Sequence, residues 1–194
     1  MISTENLRGF DDPVHDSQAC FREALEALAR PGSIRELSSA RPAPGLCAAA
    51  AALALALADH DTPLWLSAAT QVAADYLRFH CGAPIAERPS EAVFAFLDAR
   101  EGMPNPLDFA QGSETYPDAS ATLVLTVEAL GEGDPLELSG PGIAERVTLK
   151  VRGLPPALLD YWRDAARRFP RGLDVFLCSG KRLCGLPRTT RIEA

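Results

Sequence analysis

The C-terminal part of the chain brings a guanidinium and two hydroxyls into one short polar loop, Pro187-Arg188-Thr189-Thr190, directly after an apolar run. The planar fork of donors on a guanidinium matches the oxygens of a phosphate or a carboxylate. The loop therefore predicts a contact with a small anion or with a partner's carboxylate. The alternative is an ordinary surface loop, or a buried arginine whose ion pair is made within the protein, to Asp59, Asp61 or Asp174.

Three further polar clusters stand at the ends of apolar elements, where sites on α/β scaffolds usually gather. The cluster 59–62 could bind a cation or supply a base, or it could simply end a helix by capping. Within 78–84, His80 could be a general acid or a ligand, but a histidine is also favoured electrostatically at a helix C-terminus. The segment 140–145 could approach a ligand closely or form a turn between strands. The candidate binding or interface residues are Asp59, Asp61, Thr62, Arg78, His80, Glu145, Asp174, Arg188, Thr189 and Thr190.

The familiar ligand motifs do not occur in this sequence. The spacing after Gly140 and Gly142 places Glu145 where a dinucleotide-binding motif needs its third glycine. Lys181 lacks the glycine spacing and the following hydroxyl residue of a Walker A loop, and there is no G-x-S-x-G nucleophile motif. The histidines and cysteines match no zinc spacing, so we predict no metal site.

Size and charge limit the classes of function. A chain of 194 residues fits one domain, 1–194, with a core that needs no disulfides. A net charge of −7 and a pI near 5.0 argue against nucleic acid as a partner. The uninterrupted apolar run 46–58 is too short to span a bilayer, so we also predict no membrane contact.

The cysteines and the N-terminal segment indicate a reducing, cytoplasmic location. The five cysteines are scattered and include no C-x-x-C pair, and residues 1–10 lack the apolar stretch of a secretory leader. The runs 173–179 and 182–186 predict a β-hairpin with a two-residue turn at Gly180-Lys181. That register puts Cys178 opposite Leu183 and turns Cys184 to the other face, so we expect no disulfide between them.

Helices and strands alternate early in the chain, and strands follow one another later. We predict amphipathic helices over 15–30, with Phe21, Leu25 and Leu28 inward, and over 70–80, with Val72, Tyr76 and Phe79 inward. A further helix is expected within 46–58, and a last one opens at Pro155-Pro156 and buries Leu158, Trp162 and Phe169. Strands are expected at 64–67, 93–97, 121–130, 136–139 and 146–151, with a long excursion over 98–120. The pattern predicts an α/β fold: a three-layer sandwich with a central mixed β-sheet covered by helices.

Several segments, taken in order, resemble the PhnH family, a subunit of bacterial carbon–phosphorus lyase. They cover most of the chain, and their order and separations are more specific than any one of them. The matching segments are His15-Asp-Ser-Gln-Ala-Cys-Phe-Arg-Glu-Ala-Leu, Arg30-Pro-Gly-Ser-Ile, Leu57-Ala-Asp-His-Asp-Thr-Pro-Leu-Trp-Leu, Leu77-Arg-Phe-His-Cys-Gly-Ala-Pro, Ala121-Thr-Leu-Val-Leu, Leu138-Ser-Gly-Pro-Gly-Ile-Ala-Glu and the C-terminal hairpin through Thr190.

The resemblance implies a role in the catabolism of organic phosphonates. Members of the PhnH family work with PhnG, PhnI and PhnJ. The assembly forms ribose 1-alkylphosphonate 5-triphosphate from MgATP and an alkylphosphonate. The resemblance further implies a homodimer when the chain is alone, and a fold similar to the large domain of pyridoxal-phosphate-dependent transferases without that cofactor. It assigns no catalytic residues, which favours an accessory, non-catalytic subunit of a transferase or lyase complex. His60 departs from the family pattern and receives no role.

The sequence itself also argues against pyridoxal phosphate. That cofactor needs a lysine in a pocket for its Schiff base, and the chain has only Lys150, in a predicted strand, and Lys181, at a predicted turn. We therefore expect no cofactor in this protein, and we expect contact with MgATP only through the complex. The competing hypothesis is a stand-alone enzyme or a protein that binds a small anion such as phosphate or a carboxylate.

Overall fold

The computed structural model describes residues 8–193. Residues 1–7, on which the prediction of no leader segment mainly rests, lie outside the described residues. The helices are α1 Pro13–Ala29, α2 Ala48–Leu57, α3 Ala74–Cys81, α4 Pro156–Arg163 and α5 Ala165–Arg168. The strands are β1 Ile34–Glu36, β2 Leu64–Leu66, β3 Phe94–Asp98, β4 Thr122–Thr126, β5 Ala129–Ser139, β6 Val147–Arg152, β7 Asp174–Ser179, β8 Arg182–Leu186 and β9 Arg191–Glu193.

The strands form two sheets. The larger has the order β1-β8-β7-β4-β3-β2; the neighbours from β7 to β2 are parallel, and β8 runs antiparallel to both β7 and β1. The smaller is antiparallel with the order β6-β5-β9. The α/β class and the mixed central sheet are thus confirmed. The single strand predicted over 121–130 was wrong, because the chain leaves β4 at Thr126 and starts β5 at Ala129.

The C-terminal hairpin has the predicted register. Cys178 of β7 lies opposite Leu183 of β8, while Leu177 lies opposite Cys184. Alternate side chains of a strand point to opposite faces, so Cys178 packs into one apolar cluster and Cys184 into the other. All five cysteines are free.

The two faces of the central sheet are covered differently. One face packs against α1, α2 and α3. The other packs against α4 and the smaller sheet, together with Phe109 from the excursion between β3 and β4. The prediction that helices cover the sheet therefore holds for one face, whereas a second sheet covers much of the other.

Helix α1 turns a different side to the sheet from the one predicted. Its buried residues are Cys20, Ala24 and Ala27, whereas Phe21 and Leu25 are 52% and 57% exposed. Small side chains face inward because the backbone of this helix runs very close to β8. A Cβ added at Gly185 of β8 would lie 2.7 Å from the carbonyl of Ala27.

The face predicted for α3 needs the same correction, and the stripe predicted for the last helix needs a smaller one. Helix α3 buries Tyr76 but leaves Val72, in the turn before it, and Phe79 largely exposed. Leu158 and Trp162 of α4 are buried as predicted, whereas Phe169 is 62% exposed. Over residues 8–193, no helix combines the length and the apolar character needed to cross a membrane.

Replacing Gly185 should test how closely α1 lies on the sheet. Gly185→Ala places a methyl group against the backbone of Ala27 and Leu28, which cannot rotate away, so we expect a loss near the upper end of about 1–3 kcal/mol in unfolding free energy. Denaturant unfolding measures it. The control is Gly180→Ala, where the added carbon meets nothing within 4 Å and only the φ of +58° is unfavourable, at about 1 kcal/mol. Equal losses in the two variants would contradict the close packing.

Candidate functional site

Most of the predicted site residues lie along one edge of the central sheet. Leu64, Phe94, Thr122 and Asp174 form one row across β2, β3, β4 and β7, at or near the start of each parallel strand. The cluster 59–62 directly precedes β2, and the loop 187–190 follows β8, which runs the opposite way. This is the amino-terminal edge, whereas open α/β sheets usually bind ligands at the carboxyl-terminal edge.

Arg188 is the centre of a hydrogen-bond network on this edge. Its Nε and one Nη donate to the two carboxylate oxygens of Asp174, at 3.2 and 2.6 Å. The same Nη donates to Ser120 Oγ at 2.6 Å, and the other Nη donates to the carbonyls of Pro117 and Pro170 at 2.5 and 3.4 Å. The side chain is only 14% exposed.

These contacts occupy all five N–H donors of the Arg188 guanidinium, which leaves none for a phosphate or a carboxylate ligand. Of the acceptors considered from the sequence, Asp174 is the one that Arg188 pairs with, and Asp59 and Asp61 are not in contact with it. The free guanidinium expected at the strand end is therefore not what the structure shows. Arg188 instead holds together the start of β7, the end of β8 and the two loops that precede β4 and β7.

The two threonines of the same loop differ in their surroundings. Thr189 is half-buried, while Thr190 is 2% exposed and its carbonyl accepts a hydrogen bond from Trp162 Nε1 at 2.8 Å. Thr190 Oγ1 has no hydrogen-bond partner among the described residues. Both threonines line a groove of about 600 Å³, which Phe169 and Arg191 also line.

The cluster 59–62 is a self-contained turn between α2 and β2. Asp59 Oδ1 accepts from Thr62 Oγ1 at 2.6 Å and from the Asp61 amide at 2.9 Å, and these bonds lower the pKa of Asp59. His60 and Asp61 are both more than three-quarters exposed and lie 3.3 Å apart. The capping interpretation accounts for every hydrogen bond that Asp59 makes.

The second cluster lies beside the first. A Cβ added at Gly82, which ends α3, would come within 3.8 Å of His60 Cβ. Arg78 pairs with Asp75 on the exposed surface of α3, at 3.2 Å. The His80 ring is tilted by 51° against the ring of Tyr76, with 4.5 Å between ring centres, and meets Phe79 edge-on. These two contacts place the His80 ring between aromatic side chains.

The third cluster packs against the end of α1 and the C-terminal loop rather than forming a ligand cradle. A Cβ added at Gly142 would lie 2.3 Å from the Ala29 carbonyl, and one added at Gly140 would lie 2.8 Å from the Thr189 carbonyl. These glycines are needed because two backbones approach each other here. Glu145 is exposed at the end of the same turn and faces a shallow groove that Arg30 also lines.

Sequence reasoning missed the polar groups at the opposite, carboxyl-terminal edge. Cys47, the residue before α2, lies there with Thr126 at the end of β4 and Cys178 near the end of β7. The available signal was the position of Cys47 directly before the alanine run. In the part of the chain that the structure describes, no three His, Cys, Asp or Glu side chains are grouped closely enough to hold a metal ion.

Fold and site together define an α/β protein whose conspicuous polar residues mainly bind its own backbone and one another. The family described as bacterial phosphonate metabolism protein (PhnH) matches residues 8–193. The chain belongs to this family, as its sequence segments indicated.

Two curated relatives agree with this assignment. The chain is similar to the alpha-D-ribose 1-methylphosphonate 5-triphosphate synthase subunit PhnH of Rhizobium meliloti (strain 1021), with 44% identity over 188 residues, 95% of this chain and 94% of the relative. It is also 40% identical, over 85 residues, to the putative C-P lyase subunit protein HtxG of Stutzerimonas stutzeri; this covers 42% of each chain.

Removing Arg188 should mainly cost stability. Arg188→Ala leaves the half-buried carboxylate of Asp174 without its cation, and we expect a loss of about 3–5 kcal/mol in unfolding free energy. Thermal and denaturant unfolding of the purified variant measure it. Arg191→Ala is the matched control: that side chain is exposed and makes no ion pair among residues 8–193, so its effect should stay within about 0.5 kcal/mol. An unchanged melting temperature for Arg188→Ala would show that the network contributes little.

Proposed function

We propose that this protein is a subunit of the carbon–phosphorus lyase core complex in the catabolism of organic phosphonates. The observation that carries the proposal is the 44% identity, over nearly the full length of both chains, to a subunit of the ribose 1-methylphosphonate 5-triphosphate synthase. The partners are PhnG, PhnI and PhnJ, and the complex forms ribose 1-alkylphosphonate 5-triphosphate from MgATP and an alkylphosphonate. Its location is the cytoplasm, where these nucleotides are available.

The role within the complex is accessory rather than catalytic. Among the candidate residues, Arg188, Asp174 and Asp59 form hydrogen bonds with other groups of the protein itself. Lys181 Nζ donates to the Ser38 carbonyl at 3.0 Å, and Lys150 is exposed on β6, so neither lysine suits a Schiff base. The subunit works without pyridoxal phosphate, and MgATP reaches it through the complex.

The chain forms one domain, 1–194, related in fold to the large domain of pyridoxal-phosphate-dependent transferases. The parallel core of the central sheet and the long crossover from β1 to β2 through α2 support this relation. A single domain is supported by the apolar cluster that the smaller sheet shares with the central one, since Leu138 and Leu149 pack together with Leu125 and Val175.

The groove beside β9 is the surface that we assign to contact with another subunit. Strand β9 is an edge strand, paired with β5 on one side only, and edge strands present backbone groups that another chain can pair with. The exposed ring of Phe169 and the guanidinium of Arg191 line the groove. This gives Thr189 and Thr190 a place in an interface rather than in an anion site.

Co-purification tests both the complex and the groove. Tagged protein from cells grown on methylphosphonate should bring down PhnG, PhnI and PhnJ, and Arg191→Glu should reduce their recovery about tenfold, as expected for the loss of about 1.4 kcal/mol at an interface. Lys150→Glu is the control, with the same charge change on β6, the opposite edge of the same small sheet. Failure of the wild-type protein to recover the other subunits would favour the stand-alone alternative. Equal recovery with the two variants would refute the assignment of the groove as an interface but would leave the membership of the complex intact.

We further propose that the isolated protein is a homodimer held by α1. Val14, Phe21 and Leu25 are 83%, 52% and 57% exposed and, seven and four residues apart, lie on one side of the helix. An apolar stripe of this kind can face its own copy across a two-fold axis.

Light scattering after size-exclusion chromatography should report a dimer at micromolar concentration. Phe21→Glu puts a charge into the stripe and should give a monomer with an unchanged melting temperature. Phe79→Glu, on α3 and 72% exposed, serves as the control and should remain a dimer. A wild-type monomer, or a dimer that survives in Phe21→Glu, would contradict this assignment.

A further inference from the structure

Cys47 and Cys178 form a thiol pair at the carboxyl-terminal edge of the central sheet. Cys178 lies opposite Thr126 in the register of β4 and β7, and Cys47, the residue directly before α2, contacts Thr126. Thr126 Oγ1 donates to Cys47 Sγ at 3.6 Å, and Cys178, the neighbour of Thr126 across the strand pair, interacts with the same sulfur. Cys47 is half-buried, whereas Cys178 has no exposed surface. A sulfur that solvent can reach is therefore backed by a buried one.

We propose that these residues are a peroxide-reactive pair, in which Cys47 is the nucleophile and Cys178 the resolving thiol. The oxidant is a hydroperoxide. Cys47 sulfur attacks its terminal oxygen, so that an S–O bond forms, the O–O bond breaks, and the alkoxide or hydroxide leaves and takes up a proton. Cys178 sulfur then attacks the Cys47 sulfenic acid; an S–S bond forms, the S–O bond breaks, and water leaves with the Cys178 proton. The two thiols lose two electrons in total. An alkyl hydroperoxide is thereby reduced to an alcohol and water, and hydrogen peroxide to two molecules of water.

The surroundings of Cys47 favour its thiolate. The hydrogen bond from the Cys178 thiol outweighs the effect of burial and, with the Ala50 amide of the first turn of α2 and the Thr126 hydroxyl, lowers the pKa of Cys47 to about 6. The positive end of the helix dipole acts in the same direction. The interaction with Cys47, together with burial, raises the pKa of Cys178 well above its usual value, so Cys178 keeps the proton that it later gives up.

The titratable groups that shift the pKa values of Cys47 and Cys178 are all thiols, with no carboxylate, lysine or arginine among them. Cys178 faces Cys47 from β7, and Cys20 of α1 and Cys184 of β8 act on Cys178. The thiolate of Cys47 should accordingly be lost as the pH falls through about 6, whereas an ordinary cysteine loses its thiolate near pH 8.5.

The other half-buried thiol offers an internal comparison. Burial raises the pKa of Cys81 to about 11, and its sulfur donates to the Ala54 carbonyl at 3.5 Å. At pH 7 the thiolate fraction of Cys47 exceeds that of Cys81 by about four orders of magnitude, and the lower intrinsic nucleophilicity of the weaker base offsets about two of them. We expect Cys47 to react at least about tenfold faster with iodoacetamide, a margin that also allows for differences in access.

The experiment uses the reduced, full-length protein with hydrogen peroxide. The protein is then denatured, its remaining thiols are titrated, and its peptides are mapped by mass spectrometry. The thiol count should fall from five to three, with a linked peptide pair that contains Cys47 and Cys178. In Cys178→Ser the second step cannot occur, so dimedone should label a sulfenic acid on Cys47. Cys81→Ser is the matched control and should form the same bridge as the wild type.

Each outcome decides the proposal. Retention of all five thiols, a bridge that involves another cysteine, or a bridge that persists in Cys178→Ser would overturn it. Because Cys178→Ser could unfold the core, native alkylation of the wild type is read separately, with the pH dependence of the rate at Cys47. Alkylation of Cys81 as fast as Cys47, or a rate at Cys47 that rises only above pH 8, would overturn the assignment of the nucleophile.

Discussion

The ion pair between Arg188 and Asp174 is the constraint on which the amino-terminal edge of the sheet depends. Both side chains are mostly withdrawn from solvent, and a charge in that position is tolerated only when its hydrogen bonds are complete. The guanidinium meets this condition with oxygens from Asp174, Ser120, Pro117 and Pro170, which come from two separate parts of the chain, 117–120 and 170–174. One side chain thereby fixes where β7 begins and where β8 ends. Arg188 also lines the groove beside β9.

A second constraint is the small distance between the helices and the central sheet. Residues 48–54 of α2 are all buried, and six of these seven are alanine. Gly185 gives α1 the same close approach to β8. Because the side of α1 that faces the sheet has room only for small side chains, its large apolar side chains, such as Phe21 and Leu25, lie on the exposed side. The surface proposed for self-association is thus a consequence of how the helix packs, because a helix with bulky inward residues would stand farther from the sheet.

The sequence predicted local features better than long-range ones. The hairpin register, the opposite faces of Cys178 and Cys184, and the alanine-rich helix follow from spacing and turn chemistry, and the structure confirms them. The inward face of α1 was mispredicted because hydrophobicity was weighed without the close approach of β8. The two side chains that Arg188 bonds, Asp174 and Ser120, lie 14 and 68 residues away, and the partners of Cys47 lie 79 and 131 residues away. Only the fold brings such groups together, so periodicity and motif spacing could not identify either site.

The pairing of β1 with β8 also governs when this chain can fold. Ile34 lies opposite Cys184, so 150 positions separate the two halves of one strand pair. Strand β9 must likewise return to β5 to complete the smaller sheet. Closing such loops costs entropy before any contact compensates for it, and proteins rich in distant contacts fold slowly. On the ribosome, β1 therefore cannot pair until β8 has been synthesised and has emerged. During that interval α1 and the alanine-rich helix lack the complete sheet face on which they pack, so their apolar surfaces stay exposed to other chains.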